Sequence, residues 1–119
     1  KKSRDLINVT KQLRDECKKL INNLICNSSQ IEFVYNPLDY AWKTHHEYIQ
    51  KYGGLGAKTI LVGMNPGHGM GNTGIPFGCP KKVRNYLKIK DCKVRKPEKM
   101  HPKRKIQGLN CKKPENETA

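Results

Sequence analysis

Acidic side chains are scarce in this chain: 10 Asp and Glu stand against 24 Lys and Arg, a formal charge of +14 at pH 7. That imbalance argues for a polyanionic partner. Long apolar runs are missing as well, so no segment has the roughly 20 consecutive apolar residues of a membrane-crossing helix. No secretory leader pattern is present either. Cysteines are five, at Cys17, Cys26, Cys79, Cys92 and Cys111. An odd count without any Cys-x-x-Cys pair suggests neither a zinc site nor a complete disulfide framework. Reduced thiols in a nuclear or cytosolic protein are the simplest account. The four histidines are too scattered for a metal site, so no metal is expected. No Ser-His-Asp or Cys-His arrangement can be argued. The core is lean, with 35% hydrophobic residues and a mean hydropathy of −0.82.

What is present is unevenly placed. Residues 1–79 carry 10 Lys and Arg against 6 Asp and Glu, whereas residues 80–119 carry 14 against 4. On charge alone, a solvated basic tail and a nucleic-acid contact remain equally open. At 119 residues the chain is one domain at most. Leu6, Val9, Leu13, Cys17, Leu20 and Leu24 recur at steps of three or four, which predicts an amphipathic helix over residues 5–25, docking that stripe on the body. Asn27-Ser28-Ser29 should end it. Residues 31–35 read as a short strand or extended arm, closed by Asn36-Pro37. A second helix is expected from Asp39 to Tyr52, with His45 and His46 on its surface, before Gly53-Gly54-Leu55-Gly56 breaks it. Thr59-Ile60-Leu61-Val62 reads as a buried strand. Val83, Tyr86, Leu87 and Ile89 mark a short helix beginning near Pro80. From Lys90 onward the prolines and lysines predict irregular structure, with residues 112–119 a mobile tail.

The strand empties into the most informative stretch, residues 63–78, with six glycines in sixteen residues. Glycine lets backbone approach a ligand closely. At the carboxyl end of a strand, such a loop lies where open α/β sheets bind ligands. It lacks the Gly-Lys-Ser/Thr of a phosphate-binding loop and the Gly-x-Gly-x-x-Gly of a dinucleotide site. Its specific content is the amide of Asn65 and the ring of Phe77. An Asn-Pro-Gly turn cap and ordinary core packing are the plainer readings of these two.

Five blocks in register carry a resemblance. Val34-Tyr35-Asn36-Pro37-Leu38-Asp39-Tyr40-Ala41-Trp42, Gly63-Met64-Asn65-Pro66-Gly67, Thr73-Gly74-Ile75-Pro76-Phe77-Gly78, His101-Pro102-Lys103-Arg104 and Gly108-Leu109-Asn110-Cys111 resemble the single-strand-selective monofunctional uracil-DNA glycosylase family. The likeness spans residues 31–111. It implies the N-terminal part of that family's three-layer α/β/α fold, comprising N-terminal helices and the first core strand. The family's second half, with an Asn that reads the uracil edge and a His-Pro-Ser loop, has no match here, so little or no activity is expected of these residues alone.

The resemblance also implies roles. Asn65 would position the attacking water, and Phe77 would stack on an extruded uracil. Gly67 and Met70 would line the pyrimidine's C5 side, so C5-oxidised uracil could also be admitted, with Gly63 and Met64 completing the substrate loop. Lys81, Lys82, Arg84, His101, Lys103 and Arg104 would meet DNA phosphates. The implied protein is a nuclear, monomeric base-excision-repair enzyme with no cofactor and no membrane partner. One departure stands out: the family's Gly-Pro-Phe-Gly-Met is here Gly67-His68-Gly69-Met70, one residue shorter, so His68 has no counterpart and reads as a solvent-facing loop residue. Two rivals remain. A non-catalytic DNA-binding remnant would use the basic segment alone. A secreted disulfide-bonded protein would use the cysteines and the sequons at Asn8, Asn27 and Asn116.

Overall fold

Residues 2–27 contain neither glycine nor proline, and in the computed structural model, which describes residues 1–89 and 93–112, they form one uninterrupted helix, α1 (Lys2–Asn27). Ser28, in extended conformation, ends it as expected. Four further helices follow: α2 (Pro37–Tyr40), α3 (Trp42–Tyr52), α4 (His68–Thr73) and α5 (Pro80–Asn85), with a 3-10 turn at Gly108–Asn110. The expected tail, with the Asn116 sequon, lies beyond Lys112 and outside the described residues.

The predicted second helix is two. Pro37, at the first position, presets the backbone of α2. Ala41 then departs from helical geometry (φ −106°, ψ 23°) before α3 resumes. Ala41 is fully enclosed and joins Tyr40 and Ile106 in one small core, with Tyr35, Val94 and Met100 against it. A second core gathers Ile75, Val83 and Ile89, flanked by Tyr48, Leu87 and Leu109. Helix α5 stops one residue before Tyr86, which is exposed while Val83 is buried.

The predicted docking face of α1 is corrected. Leu6, Val9, Leu13, Leu20 and Leu24 are exposed, and no residue of α1 is fully buried. The half-buried stripe is Ile7, Thr10, Arg14, Cys17 and Ile21, roughly a fifth of a turn round the helix at 100° per residue. Polar partners explain it. The Arg14 guanidinium lies 4.7 Å from the Trp42 ring centre, and Lys18 Nζ is 2.8 Å from Asp39 Oδ1. Asn36 Nδ2 donates to the Arg14 carbonyl at 3.1 Å. The body offers α1 cation partners beside the apolar contacts of Ile7, Cys17 and Ile21.

The predicted buried strand is also corrected. Among the described residues there is no strand, and Ile60, Leu61 and Val62 are 84%, 75% and 85% exposed. A strand exists only with a ladder partner. No described segment supplies one, so residues 59–62 stay outside regular secondary structure and hydrated. Residues 31–35 form the arm without a ladder. The loop after Gly67, expected to be irregular, instead winds into α4, whose last amide-bonded residue, Gly74, takes φ 75° and donates to the Met70 carbonyl at 2.8 Å.

Candidate functional site

The segment from Leu61 and the start of α4 border an open hollow of about 790 Å³. Asn65, Gly63, Met64, Gly67, Met70 and Phe77 all line it, with Leu61, Val62, Pro66 and Pro76 completing the wall. Residues singled out from separate blocks of the sequence therefore face one cavity. Phe77 is 47% exposed, so its ring is not ordinary core. Its backbone has φ 56°, a region that bulky residues seldom occupy. The ring lies so close to Gly63 that a Cβ there would sit 3.2 Å from Cζ. Gly63 is therefore glycine for close approach. The Asn65 side chain makes no hydrogen bond within the described residues, and α4 has no side-chain cap, so turn capping does not occupy the amide. An unengaged amide and an exposed ring that line one hollow can orient a water and hold a planar heterocycle.

A buried polar frame holds this loop in place. Thr73 Oγ1 donates to the Gly69 carbonyl at 2.8 Å and accepts from the Ile75 amide at 3.1 Å. The Tyr40 hydroxyl donates to the Gly71 carbonyl, and burial pushes the phenol well above its ordinary range. Asn72 is wholly enclosed: Nδ2 donates to the His68 carbonyl at 3.0 Å, and Oδ1 accepts from the amides of Gln107 (2.7 Å) and Gly108 (3.1 Å). One side chain thus ties the glycine loop to the C-terminal block. His68 is exposed as expected, with Nε2 3.1 Å from Asn72 Nδ2 and 3.9 Å from Cys111 Sγ.

His45 is not on the surface. It is buried on α3, where Nδ1–H donates to the Gly74 carbonyl at 2.7 Å and Nε2 has no partner. Burial holds its pKa below the usual imidazole value, with His46 a further lowering influence. Asn72 and His45 were missed as supports of the loop. The available signal for His45 was its four-residue spacing from Ala41 and Ile49, a core face. For Asn72 the local sequence carries no comparable signal.

The basic candidates fall in two places. Lys81 and Lys82 are exposed on α5, and half-buried Arg84 faces a second hollow. His101, Lys103 and Arg104 occupy a turn tied to Tyr35, whose hydroxyl accepts from the His101 amide (2.7 Å) and donates to the Arg104 carbonyl (2.9 Å). The His101 ring sits edge-on to Phe33 at 5.4 Å, and its Nδ1 accepts from the Lys103 amide at 3.1 Å. Lys103 and Arg104 remain exposed. Among the described residues no group of three or more His, Cys, Asp or Glu could hold a metal ion, and no helix is long and apolar enough to cross a membrane.

No family model matches the chain. It is similar to the "Single-strand selective monofunctional uracil DNA glycosylase" of Bos taurus, 42% identical over 85 residues that make up 71% of this chain and 31% of that protein. The protein of that name from Rattus norvegicus is 42% identical over 90 residues, 70% of this chain and 32% of its own length. The Mus musculus protein is 41% identical over 90 residues, with the same shares. These similarities bear out the resemblance read from the five blocks. The chain spans about a third of the length of the curated relatives it matches.

Proposed function

We propose that this chain supplies the water-positioning and base-stacking part of a uracil-DNA glycosylase acting in nuclear base-excision repair. The observation that carries the reading is the shared hollow: Asn65 and Phe77, twelve positions apart in the chain, line one cavity together. The names of its relatives support the substrate class. In this reading Thr59–Val62 is the segment that joins a parallel sheet, and the fold is the first part of a three-layer α/β/α domain.

The chemistry follows from the groups available. A base must leave the stack before its bond to the sugar can be reached. Phe77 offers a π-face to the extruded ring, and Gly63, Met64, Gly67 and Met70 close around it. Asn65 orients a water toward C1′ of the deoxyribose. The C1′–O bond forms, the C1′–N1 bond breaks, uracil departs with the bonding pair, and the water's proton passes to solvent or base. Uracil leaves well as an anion, so a neutral amide suffices and the step calls for no cofactor. Lys81, Lys82, Arg84, His101, Lys103 and Arg104 meet backbone phosphates, whose charge supports the electron-poor sugar. The hollow's rim at Val62 and Met64 is open to solvent, so the chain by itself should turn over little.

Anisotropy titration of this chain with matched single strands, one carrying uracil and one cytosine, tests the reading. The uracil strand should bind more tightly, and Phe77→Ala should weaken it by about 1–3 kcal/mol, roughly 5- to 150-fold. Equal affinity for both strands would instead identify a non-catalytic basic DNA-binding module.

A further inference from the structure

Apart from the glycine-loop hollow, the molecule has a second concavity whose lining differs in kind. About 540 Å³ in volume, it lies between the end of α5, residues 93–96 and the 3-10 turn. Arg84, Lys93 and Lys96 face it, from two segments of the chain, and no acidic side chain among the described residues lines it. Among the described residues these cations have no ion-pair partner. Ion pairs engage Arg14, Lys18, Lys51 and Arg95 elsewhere on the molecule, and none of these pairs involves Arg84, Lys93 or Lys96. Three like charges held around a concavity repel one another, so the arrangement is relieved by an anion. Asn85 and Asn110 add amide groups able to bond phosphate or sugar oxygens.

The wall of this hollow is fixed. Gln107 and Gly108, which line it, have their amides bound by the buried Asn72, and the same side chain holds the His68 carbonyl beside the glycine loop. One frame therefore supports both concavities.

We propose that the Arg84–Lys93–Lys96 hollow is a subsite for the phosphates of a nucleic-acid strand. An open hollow of this volume, with cations contributed by separate segments, has room for a chain of phosphates rather than one compact anion. The proposal rests on the reading that this chain meets DNA, and is independent of whether uracil is its target. It places Lys93 and Lys96 beside Arg84 in the binding surface.

The test uses a short thymidylate strand, which lacks uracil, so its result is separate from that of the uracil titration. Binding is measured against salt for the parent, for Arg84→Gln/Lys93→Gln/Lys96→Gln, and for Lys2→Gln/Lys11→Gln/Lys19→Gln on α1, which removes the same charge elsewhere. Loss of three phosphate contacts should flatten the log–log salt slope by about 2 for a single strand. The α1 variant should retain nearly the parent slope. Should Arg84→Gln disturb folding, Lys93→Gln/Lys96→Gln, at two exposed positions, should flatten it by about 1.4 on the same scale. In amide NMR the strand should shift Leu109 and Asn110. Equal flattening in the α1 variant would sink the proposal. So would saturable shifts of Leu109 and Asn110 by inorganic phosphate alone, which would mark a site for a free anion. Tighter binding to anionic phospholipid vesicles through these cations would also overturn it.

Discussion

Phe77 is the residue at which stability and function part company. Its left-handed backbone costs about 1–3 kcal/mol for a bulky side chain. The half-exposed ring recovers little of that by packing. Phe77→Gly is therefore expected to melt at or above the parent temperature while losing discrimination for uracil. A drop of several degrees in calorimetry would show that the ring is packing, not a platform. His45 makes a second prediction. Its folded pKa lies below the ordinary 6.5 because burial penalises the imidazolium. As pH falls through 6.5, the unfolded chain takes up a proton that folded His45 resists, so stability is lost down to the folded pKa and then levels off. Denaturant unfolding from pH 7 to 5 should show this decline, and His45→Gln should flatten it. A curve unchanged by that substitution would place the titration elsewhere.

At the scale of elements, α1 shows how a helix can be legible while its docking face is not. The spacing of leucines was enough for its existence, read as residues 5–25, while the helix itself runs further at both ends, Lys2–Asn27. Direction was settled by Trp42, Asn36 and Asp39, which recruit Arg14 and Lys18. Arg14→Ala should thus destabilise by about 0.5–2 kcal/mol through the lost cation–π contact. Leu13→Ala, on the exposed stripe, should stay within about 0.5 kcal/mol. Urea melts giving the reverse order would return the leucine stripe to the interface. Helix α4 was illegible for the opposite reason. Three glycines between residues 67 and 71 argue against a helix, but Thr73 and Asn72 bond back to the carbonyls of Gly69 and His68 and hold the turns closed. Such back-bonding depends on burial that a local window does not contain.

At the scale of the whole molecule, the described residues gather two small cores in a chain with a charge of +14. Self-repulsion of that size disfavours the compact state, and the few ion pairs offset it weakly. Raising salt from low ionic strength to about 0.1 M, where the screening length is about 10 Å, should raise the melting temperature. A fall over that range would show that attractive pairs dominate.

Composition and local order determined the basic character, α1, the region of α3 and α5, and the blocks that hold Asn65 and Phe77, because these follow from residue type and short-range periodicity. Tertiary structure decided the rest. It split the second helix at Ala41, buried His45, and left Ile60, Leu61 and Val62 in water because a strand's fate depends on a neighbour. It brought the amide and the ring to one hollow, since only folding makes distant residues adjacent.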